Sequence, residues 1–515
     1  MDMKSSSGIL LHITSLPGNY GIGTLGDEAF KFARQLKQGG QSFWQVLPLG
    51  PVSPVFEYSP YASKSTFAGN LLFISLDKLK KKWFEIDIKP FEFKEDNFVN
   101  FDEVVKHKIP VLKAAAALFF KTSKDGDIKA YEHFCEESKY WLDDYALFSA
   151  LADHFKTDYW LDWEKPIAMR RPEAMEEWRV KLKLNIDFYR FAQYLFFIQW
   201  SELKEYCNSL DIKLIGDIPI YITFEGADAW AHSEIFQLDK KSGKPNFVSG
   251  VPPDYFSETG QRWGNPLYKW EDDKKKLNNA TMKWWVNRLQ HLNSVVDLIR
   301  IDHFRALESF WSIPAEEPTA IKGEWVKGPG LSFFKSLKKN LGALHLIAED
   351  LGEITPEVEK LRDEVNLPGM KILQFAFDFN NKNYYLPHNY KNRNIIVYTG
   401  THDNNTTNGW FYGSEIDDNM RQYILDYMDS TNFSDFHWQF IKLAYSSVAN
   451  LVIIPAQDVL GYGEEFRMNR PGTVTDNWKW KLKHNSFTDE LMTKLKHTAD
   501  MYNRVNIEAT NDSLL

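Results

Sequence analysis

The chain has 515 residues, 43% of them hydrophobic and 25% charged, a composition typical of soluble globular proteins. Its 61 Lys and Arg against 70 Asp and Glu give a net charge of −9, which excludes nucleic acid and anionic membranes as expected partners. Only two cysteines are present, too few for a disulfide framework or a zinc cage. No apolar stretch has the length of a membrane helix, and the N-terminus lacks the pattern of a signal peptide, so we expect a cytoplasmic protein. The sequence leaves the oligomeric state open.

Eight apolar runs predict buried β-strands that alternate with helical stretches. In chain order these runs span residues 7–16, 43–50, 213–222, 297–304, 343–350, 369–377, 394–403 and 451–460. Helical patterns such as 26–40 and 355–366 separate them. Strands that alternate with helices indicate parallel βαβ units, and eight such units close a (β/α)8 TIM barrel.

Large insertions must account for the residues beyond the typical size of such a barrel. Residues 80–205 carry long helical patterns at 103–122, 127–156 and 172–210, so we expect a mainly helical insertion. Residues 224–275 are rich in Gly, Pro, Asn and aromatics and are interpreted as an ordered aromatic loop at the active site. Since only one helical stretch follows the eighth strand, we expect no C-terminal β-domain. The predicted organisation is a single catalytic barrel domain over 1–515.

Three of the predicted strands end in acidic phrases: LIRIDHF at 298–304, LHLIAED at 344–350 and VYTGTHDN at 397–404. Parallel strands of a barrel deliver such residues to one rim. The carboxylates Asp302, Glu349 and Asp403 would supply the nucleophile, the proton donor and the charge stabiliser that glycosidic-bond chemistry needs. The sequence therefore indicates a carbohydrate-active enzyme, which the aromatic content of 15% also fits.

The first acidic phrase places Arg300 and Asp302 two residues apart on a strand, so both side chains should project to the same side. A guanidinium next to a carboxylate would hold it ionised and lower its pKa, as suits a nucleophile. A structural ion pair at the strand end is an equally weighted interpretation of this phrase alone.

The second phrase contains adjacent carboxyl groups, Glu349 and Asp350, which face opposite ways, so only one of them can enter the site. Repulsion between nearby carboxylates would raise the pKa of a general acid there. In the third phrase, His402 can donate to a sugar hydroxyl while Asp403 accepts from others. A His-Asp dipeptide alone is more often a turn or capping feature.

Taken together, these phrases resemble those of bacterial 4-alpha-glucanotransferases (amylomaltases, or disproportionating enzymes), which are relatives of the alpha-amylases. The resemblance extends over nearly the whole chain, and the long aromatic phrase is the most specific to the family. Its motifs are SGILLHITSLPGNYGIGTLG (7–26), WQVLPLGP (44–51), SPYASKSTFAGN (59–70), GDIPIYI (216–222), GVPPDYFSETGQRWGNPLYKW (250–270), RIDHFRALESFW (300–311), AEDLGEI (348–354), GTHDNNT (400–406) and RMNRPGT (467–473).

The resemblance implies a role for each matching residue. Asp302 corresponds to the nucleophile that forms a covalent glucosyl-enzyme intermediate, Glu349 to the general acid/base, and Asp403 to the carboxylate that binds and distorts the donor glucose. The loop around Trp263 would cover the acceptor side. The substrate-binding residues implied are Ser59, Tyr61, Asp217, Tyr255, Phe256, Gln261, Trp263, Arg300, His303 and His402.

Two alternative functions remain open at this point. A hydrolytic alpha-amylase would use the same carboxylates, but the missing C-terminal β-domain and the family-specific loop argue against it. A non-catalytic glucan-binding protein could lose carboxylates, whereas all three acidic positions are filled. We expect no metal and no cofactor, because the chemistry needs none, and the expected partners are maltooligosaccharides and α-1,4-glucans.

Overall fold

A computed structural model of the chain describes residues 4–82, 97–253, 257–430 and 434–505. Twelve strands lie within these ranges. They are β1 (Ser6–Leu10), β2 (Phe43–Gln45), β3 (Lys213–Pro219), β4 (Phe247–Val251), β5 (Gln261–Pro266), β6 (Leu298–Asp302), β7 (Ser309–Pro314), β8 (Glu324–Lys327), β9 (Leu346–Ala348), β10 (Gly369–Ile372), β11 (Ile395–Tyr398) and β12 (Leu451–Pro455).

Eight of these strands form one parallel sheet in the order β10-β11-β12-β1-β2-β3-β6-β9. The backbone N–H of Ala348 in β9 donates to the carbonyl of Pro368, directly before β10, at 2.9 Å, and so joins the two ends of the sheet. The strands are almost entirely buried, as expected when helices cover a parallel sheet. The predicted (β/α)8 barrel is confirmed.

All eight predicted barrel strands are present, and each ends before its predicted C-terminal boundary. The run predicted at 394–403, for example, pairs only over Ile395–Tyr398. The polar residues that follow enter the loops at the rim, where both backbone and side-chain hydrogen bonds hold them, as in the bonds from the N–H of Glu349 to the carbonyl of Ile301 and from the N–H of Thr401 to Asn404 Oδ1. Strand ends of this kind carry the candidate site.

Sixteen α-helices accompany the strands in the described residues. They are α1 (Asp27–Gln38), α2 (Leu76–Lys82), α3 (Phe101–Thr122), α4 (Asp125–Phe155), α5 (Lys165–Ala168), α6 (Pro172–Lys181), α7 (Lys183–Ser209), α8 (Ala227–Ala231), α9 (Asn279–Val295), α10 (Gly330–Leu341), α11 (Pro356–Glu364), α12 (Thr407–Tyr412), α13 (Asp418–Tyr427), α14 (Phe436–Ser446), α15 (Ala456–Val459) and α16 (Asp489–Met501).

Helix α1 shows how the sequence pattern sets these helices. Its buried residues Ala29, Phe32, Ala33 and Leu36 recur at helical spacing and face the core. Asp27 and Glu28 lie in the first turn, where the helix dipole favours negative charge. In the stretch 97–209, α3 and α4 match the predicted patterns, while the pattern predicted over 172–210 forms two helices, α6 and α7, that meet at Leu182.

A second, antiparallel sheet has the strand order β5-β4-β7-β8. Two of its strands, β4 and β5, lie in the segment 224–275, which the sequence analysis interpreted only as a loop. Gly250 and Pro266 obscure the alternation of these strands, and their partner β7 comes from a segment more than 40 residues later in the chain. This sheet carries Trp263 on β5.

The described residues contain neither a candidate membrane-spanning helix nor a candidate metal-binding cluster. No helix there is long and apolar enough to cross a membrane. Nor does that part of the chain bring together three or more His, Cys, Asp or Glu side chains as a metal-binding group.

Candidate active site

Asp217, Asp302, Glu349 and Asp403 lie near the C-terminal ends of barrel strands or in the loops that follow them. Asp217 lies in β3, Asp302 is the last residue of β6, Glu349 directly follows β9, and Asp403 comes five residues after β11 ends. Because the strands are parallel, these positions share one rim of the barrel. β10 lies between β9 and β11 in the sheet, so the strands of Glu349 and Asp403 are not adjacent.

Arg300 is the charged centre of this rim. Its Nη1 lies 3.0 Å from Asp302 Oδ1 and 2.7 Å from Asp217 Oδ2. Asp217 faces Arg300 across the paired strands β3 and β6, and its Oδ2 also accepts a hydrogen bond from the hydroxyl of Tyr61 at 2.8 Å. The predicted same-side placement of Arg300 and Asp302 is confirmed, and Arg300 balances two carboxylates at once.

Glu349 is buried, with 8% of its surface exposed, and contacts backbone donors rather than a cation. Its Oε2 accepts from the N–H of His303 at 2.6 Å, and its Oε1 accepts from the N–H of Leu351 at 3.1 Å. Burial, reinforced by the charge of Asp302, raises the pKa of Glu349 to about 8, although Arg300 and the His303 N–H favour the ionised form. Glu349 thus retains a proton at pH values where an ordinary carboxyl group is ionised.

Asp350 points away from this site. Its carboxylate accepts hydrogen bonds from the guanidinium of Arg362 in α11 and from the N–H of Met370 in β10, the latter at 2.7 Å. These contacts tie a helix to a barrel strand. Of the two adjacent carboxyl groups, only Glu349 contacts residues of the acidic rim.

The pKa of Asp302 does not shift in the predicted direction. Burial raises it to about 7; Arg300 opposes that shift, while the charges of Asp217 and Asp403 add to it. The expected lowering by Arg300 is present but is smaller than the effect of burial, so the prediction of a lowered pKa is wrong. The side chain of Asp302 is 30% exposed and lies 3.0 Å from Arg300 Nη1, and both features favour its ionised form.

Stacked aromatic rings lie next to Asp217 and Asp403 at this rim. The rings of Tyr61 and His402 stack with centroids 5.0 Å apart and planes 17° apart, and Trp478 packs against both. Burial lowers the pKa of His402, and its Nε2 lies 3.3 Å from Asp403 Oδ1. Ser59 belongs to the same loop as Tyr61, and its hydroxyl accepts from the Tyr61 N–H at 3.3 Å.

The aromatic loop reaches the acidic rim through Trp263, whose side chain is 39% exposed. Its ring meets the ring of His303 edge-on, with centroids 4.8 Å apart, and its Nε1 donates to Gln261 Oε1 at 3.2 Å. His303 has a φ of 54°, in the left-handed region, and this conformation turns its N–H towards Glu349. The other two residues predicted for this loop, Tyr255 and Phe256, lie outside the described residues.

Three further residues contact this site and were given no role in the sequence analysis. Asn469 Nδ2 donates to Asp403 Oδ1 at 2.6 Å, Arg467 Nη2 donates to the carbonyl of Asp403 at 2.7 Å, and Trp478 packs on His402. Arg467 and Asn469 belong to the phrase RMNRPGT. That phrase contributed to the family resemblance. It contains no apolar run and no carboxylate, however, so the sequence pattern gave no role to Arg467 or Asn469.

A TIM barrel whose C-terminal rim carries an arginine-bound carboxylate beside a carboxyl group with a pKa raised by burial has the groups used by retaining enzymes that act on glycosidic bonds. Comparison with known proteins gives the family. The family model described as 4-alpha-glucanotransferase matches residues 11–487. The chain belongs to the 4-alpha-glucanotransferase family, so the resemblance inferred from its motifs is confirmed and the hydrolase alternative is not favoured.

Individual relatives match over nearly their whole length. The 4-alpha-glucanotransferase of Synechocystis sp. is 46% identical over 506 residues, covering 97% of this chain and 98% of the relative. That of Thermus thermophilus is 42% identical over 509 residues, covering 98% and 100%. The solved amylomaltase from Streptococcus agalactiae in complex with acarbose superposes with a TM-score of 0.92 at 36% identity, covering 98% of this chain and 100% of that one.

Proposed function

We propose that the protein transfers segments of α-1,4-glucan from a donor maltooligosaccharide to the 4-hydroxyl of an acceptor glucan or glucose, with retention of configuration. The observation that carries this proposal is the pair Asp302 and Glu349. Burial raises the pKa of both carboxyl groups, but only Asp302 contacts a guanidinium, at 3.0 Å, which favours its ionised form. A retaining mechanism requires this division into an ionised nucleophile and a protonated acid.

In the first step, an oxygen of Asp302 attacks C1 of the donor glucose as the bond from C1 to the leaving 4-oxygen breaks. Glu349 gives its proton to that oxygen, and a glucosyl ester on Asp302 results. In the second step, the acceptor 4-hydroxyl attacks C1, the ionised Glu349 removes its proton, and Asp302 is released as a carboxylate. Asp403 binds hydroxyls of the donor glucose and favours the positive charge that develops on the ring.

The remaining site residues would hold the two sugars. The donor glucose would contact the rings of Tyr61 and His402, with Ser59 in the same loop as Tyr61. It would also contact the charged pair Arg300 and Asp217. On the acceptor side we propose Trp263, Gln261, His303, Tyr255 and Phe256. The exposure of Trp263 and its contact with His303 beside Glu349 support that placement.

We further propose a single catalytic barrel domain over 1–515, with insertions at 80–205 and 224–275. The continuous barrel core that reaches from β1 to β12 supports this organisation. We propose that the enzyme acts in the cytoplasm on maltooligosaccharides and glycogen. Its two cysteines, Cys135 and Cys207, are both free thiols, as is usual in a reducing compartment.

Incubation with maltotriose alone tests transfer against hydrolysis. We expect glucose together with a ladder of maltooligosaccharides longer than the substrate, because the acceptor for each glucosyl-enzyme would be another sugar. Chromatography of the products over time makes the measurement. Products restricted to glucose and maltose would instead establish a hydrolase.

Trp263→Ala should raise the ratio of hydrolysis to transfer. Its ring would offer an apolar face to the acceptor sugar, and loss of a contact of about 1–2 kcal/mol lowers acceptor affinity roughly tenfold. Truncation also admits water next to Glu349. Free glucose is measured against oligosaccharide formed, over a range of acceptor concentrations.

A matched control for this variant is Trp325→Ala, since Trp325 lies on β8 of the same sheet and is also 39% exposed. It packs on Arg305 and Trp311 rather than on His303, so the product ratio should stay unchanged. An equal fall of both reactions in Trp263→Ala would show that the ring only supports the loop.

A further inference from the structure

Asp403 is held differently from the other two carboxyl groups of the proposed site. Asp302 ends a barrel strand, and Glu349 directly follows one. Asp403 instead lies five residues after β11 ends at Tyr398, and its side chain is 44% exposed. The hydrogen-bonded ladder of the barrel therefore does not fix this carboxylate, and other contacts must do so.

His402 Nε2 lies 3.3 Å from Asp403 Oδ1, and the Asp403 N–H donates to Thr401 Oγ1 at 3.2 Å, while Arg467 makes one further contact directly and supports another. Its Nη2 donates to the carbonyl of Asp403 at 2.7 Å, and its Nε donates to the carbonyl of Asn469 at 2.7 Å. Asn469 in turn donates from Nδ2 to Asp403 Oδ1 at 2.6 Å. One guanidinium thus holds the backbone of Asp403 and also the backbone of the residue that binds the carboxylate of Asp403.

Glu415 binds Nη1, the third nitrogen of the Arg467 guanidinium. Its Oε1 lies 3.4 Å from Arg467 Nη1 and accepts from Asn405 Nδ2 at 2.7 Å. Asn405 belongs to the same loop as Asp403, so Glu415 joins both segments. The side chain of Arg467 is only 15% exposed, which reduces competition from water for these hydrogen bonds.

We propose that Arg467, oriented by Glu415, is a positioning residue that sets the place of the Asp403 carboxylate in the transition state. The inference rests on the proposed role of Asp403. A carboxylate that stabilises a transient charge must lie within a fraction of an ångström of its working position. The planar guanidinium donates in three fixed directions here, to Asp403, Asn469 and Glu415, and a lysine cannot reproduce that geometry.

The same phrase offers a matched control in Arg470. This side chain pairs with Glu464 and is 50% exposed, and its Nη2 contact does not involve Asp403. Arg467→Met and Arg470→Met remove the same chemical group three residues apart. Arg470→Met therefore measures the loss of an arginine from this segment without loss of the contacts with Asp403 and Asn469.

The test is a double-mutant cycle measured with maltotriose and with a maltosyl fluoride donor. Arg467→Met should lower kcat by about 100-fold with little change in KM, since the loss falls on the transition state. Arg467→Lys should recover only a minor part of that loss. Arg470→Met should remain within about twofold of the unsubstituted enzyme. In an Asp403→Asn background, Arg467→Met should cost no more than about twofold further, because its partner is already lost.

Two results would overturn the proposal while leaving the role of Asp403 intact. The first is that Arg467→Met keeps the kcat of the unsubstituted enzyme although Asp403→Asn is inactive. The other is a loss in Arg467→Met that is undiminished in the Asp403→Asn background, which would show that Arg467 acts elsewhere. Wild-type activity of Asp403→Asn alone would overturn the proposed function of Asp403, and the inference with it.

Discussion

Asp302→Asn should reduce transfer from maltotriose by at least about 10⁴-fold, because the amide cannot form the glucosyl ester on which both steps depend. The fold should persist. Arg300 keeps its contacts with Asp217 at 2.7 and 2.9 Å when Asp302 loses its charge, so no buried cation is left without a partner. We expect the thermal midpoint to move by no more than about 2 °C.

Asp297→Asn is the control for this variant, since Asp297 directly precedes the same strand, β6, at the other end of the barrel. Its carboxylate accepts from the N–H of Leu214 at 2.7 Å, a structural contact. That variant should lose stability and keep its turnover. More than a few per cent of residual activity in purified Asp302→Asn would refute the assignment of the nucleophile.

Glu349→Gln should fail with natural glucans yet still complete its first step with a maltosyl fluoride. A sugar oxygen needs a proton to leave, whereas fluoride leaves without one. With maltotriose we expect a loss of at least about 10³-fold, and with the fluoride a much smaller loss in the first step. Rapid-quench analysis of the products measures the reaction with maltotriose, and the rate of fluoride release measures the first step with maltosyl fluoride.

Asp350→Asn provides the matched comparison, because it alters the adjacent carboxyl group. Asp350 binds Arg362 and the N–H of Met370, so its substitution should lower the thermal midpoint and leave the preference between the two donors unchanged. If Asp350→Asn were the variant that fluoride rescued, Glu349 would be the wrong member of the pair.

The barrel and its carboxylates could be predicted because both depend on local patterns. A buried parallel strand is a continuous apolar run, and the residue where the run ends lies at the rim, as Asp302 does. The second sheet could not be predicted in this way. Its strand β4 pairs with β5 nearby but also with β7, and β7 pairs with β8 at 324–327, so the sheet exists only once distant segments meet.

Two features of the site depend on three-dimensional surroundings that the sequence does not show. The direction of the Asp302 pKa shift follows from burial and from Asp217 and Asp403, whereas the sequence shows only the neighbouring Arg300. The support of Asp403 comes from Asn469 and Arg467, more than 60 residues away in the chain. The alternation of side chains along a strand predicted that only one of Glu349 and Asp350 enters the site. The contacts of the two carboxyl groups identify Glu349 as that residue.

Intact-protein mass spectrometry of Glu349→Gln after reaction with maltosyl fluoride tests the proposed mechanism most directly. The account predicts a mass increase of one maltosyl unit, located by digestion to the peptide that contains Asp302 and absent from the variant in which Asp302→Asn is added. An adduct on another residue, or one that persists without Asp302, would contradict it.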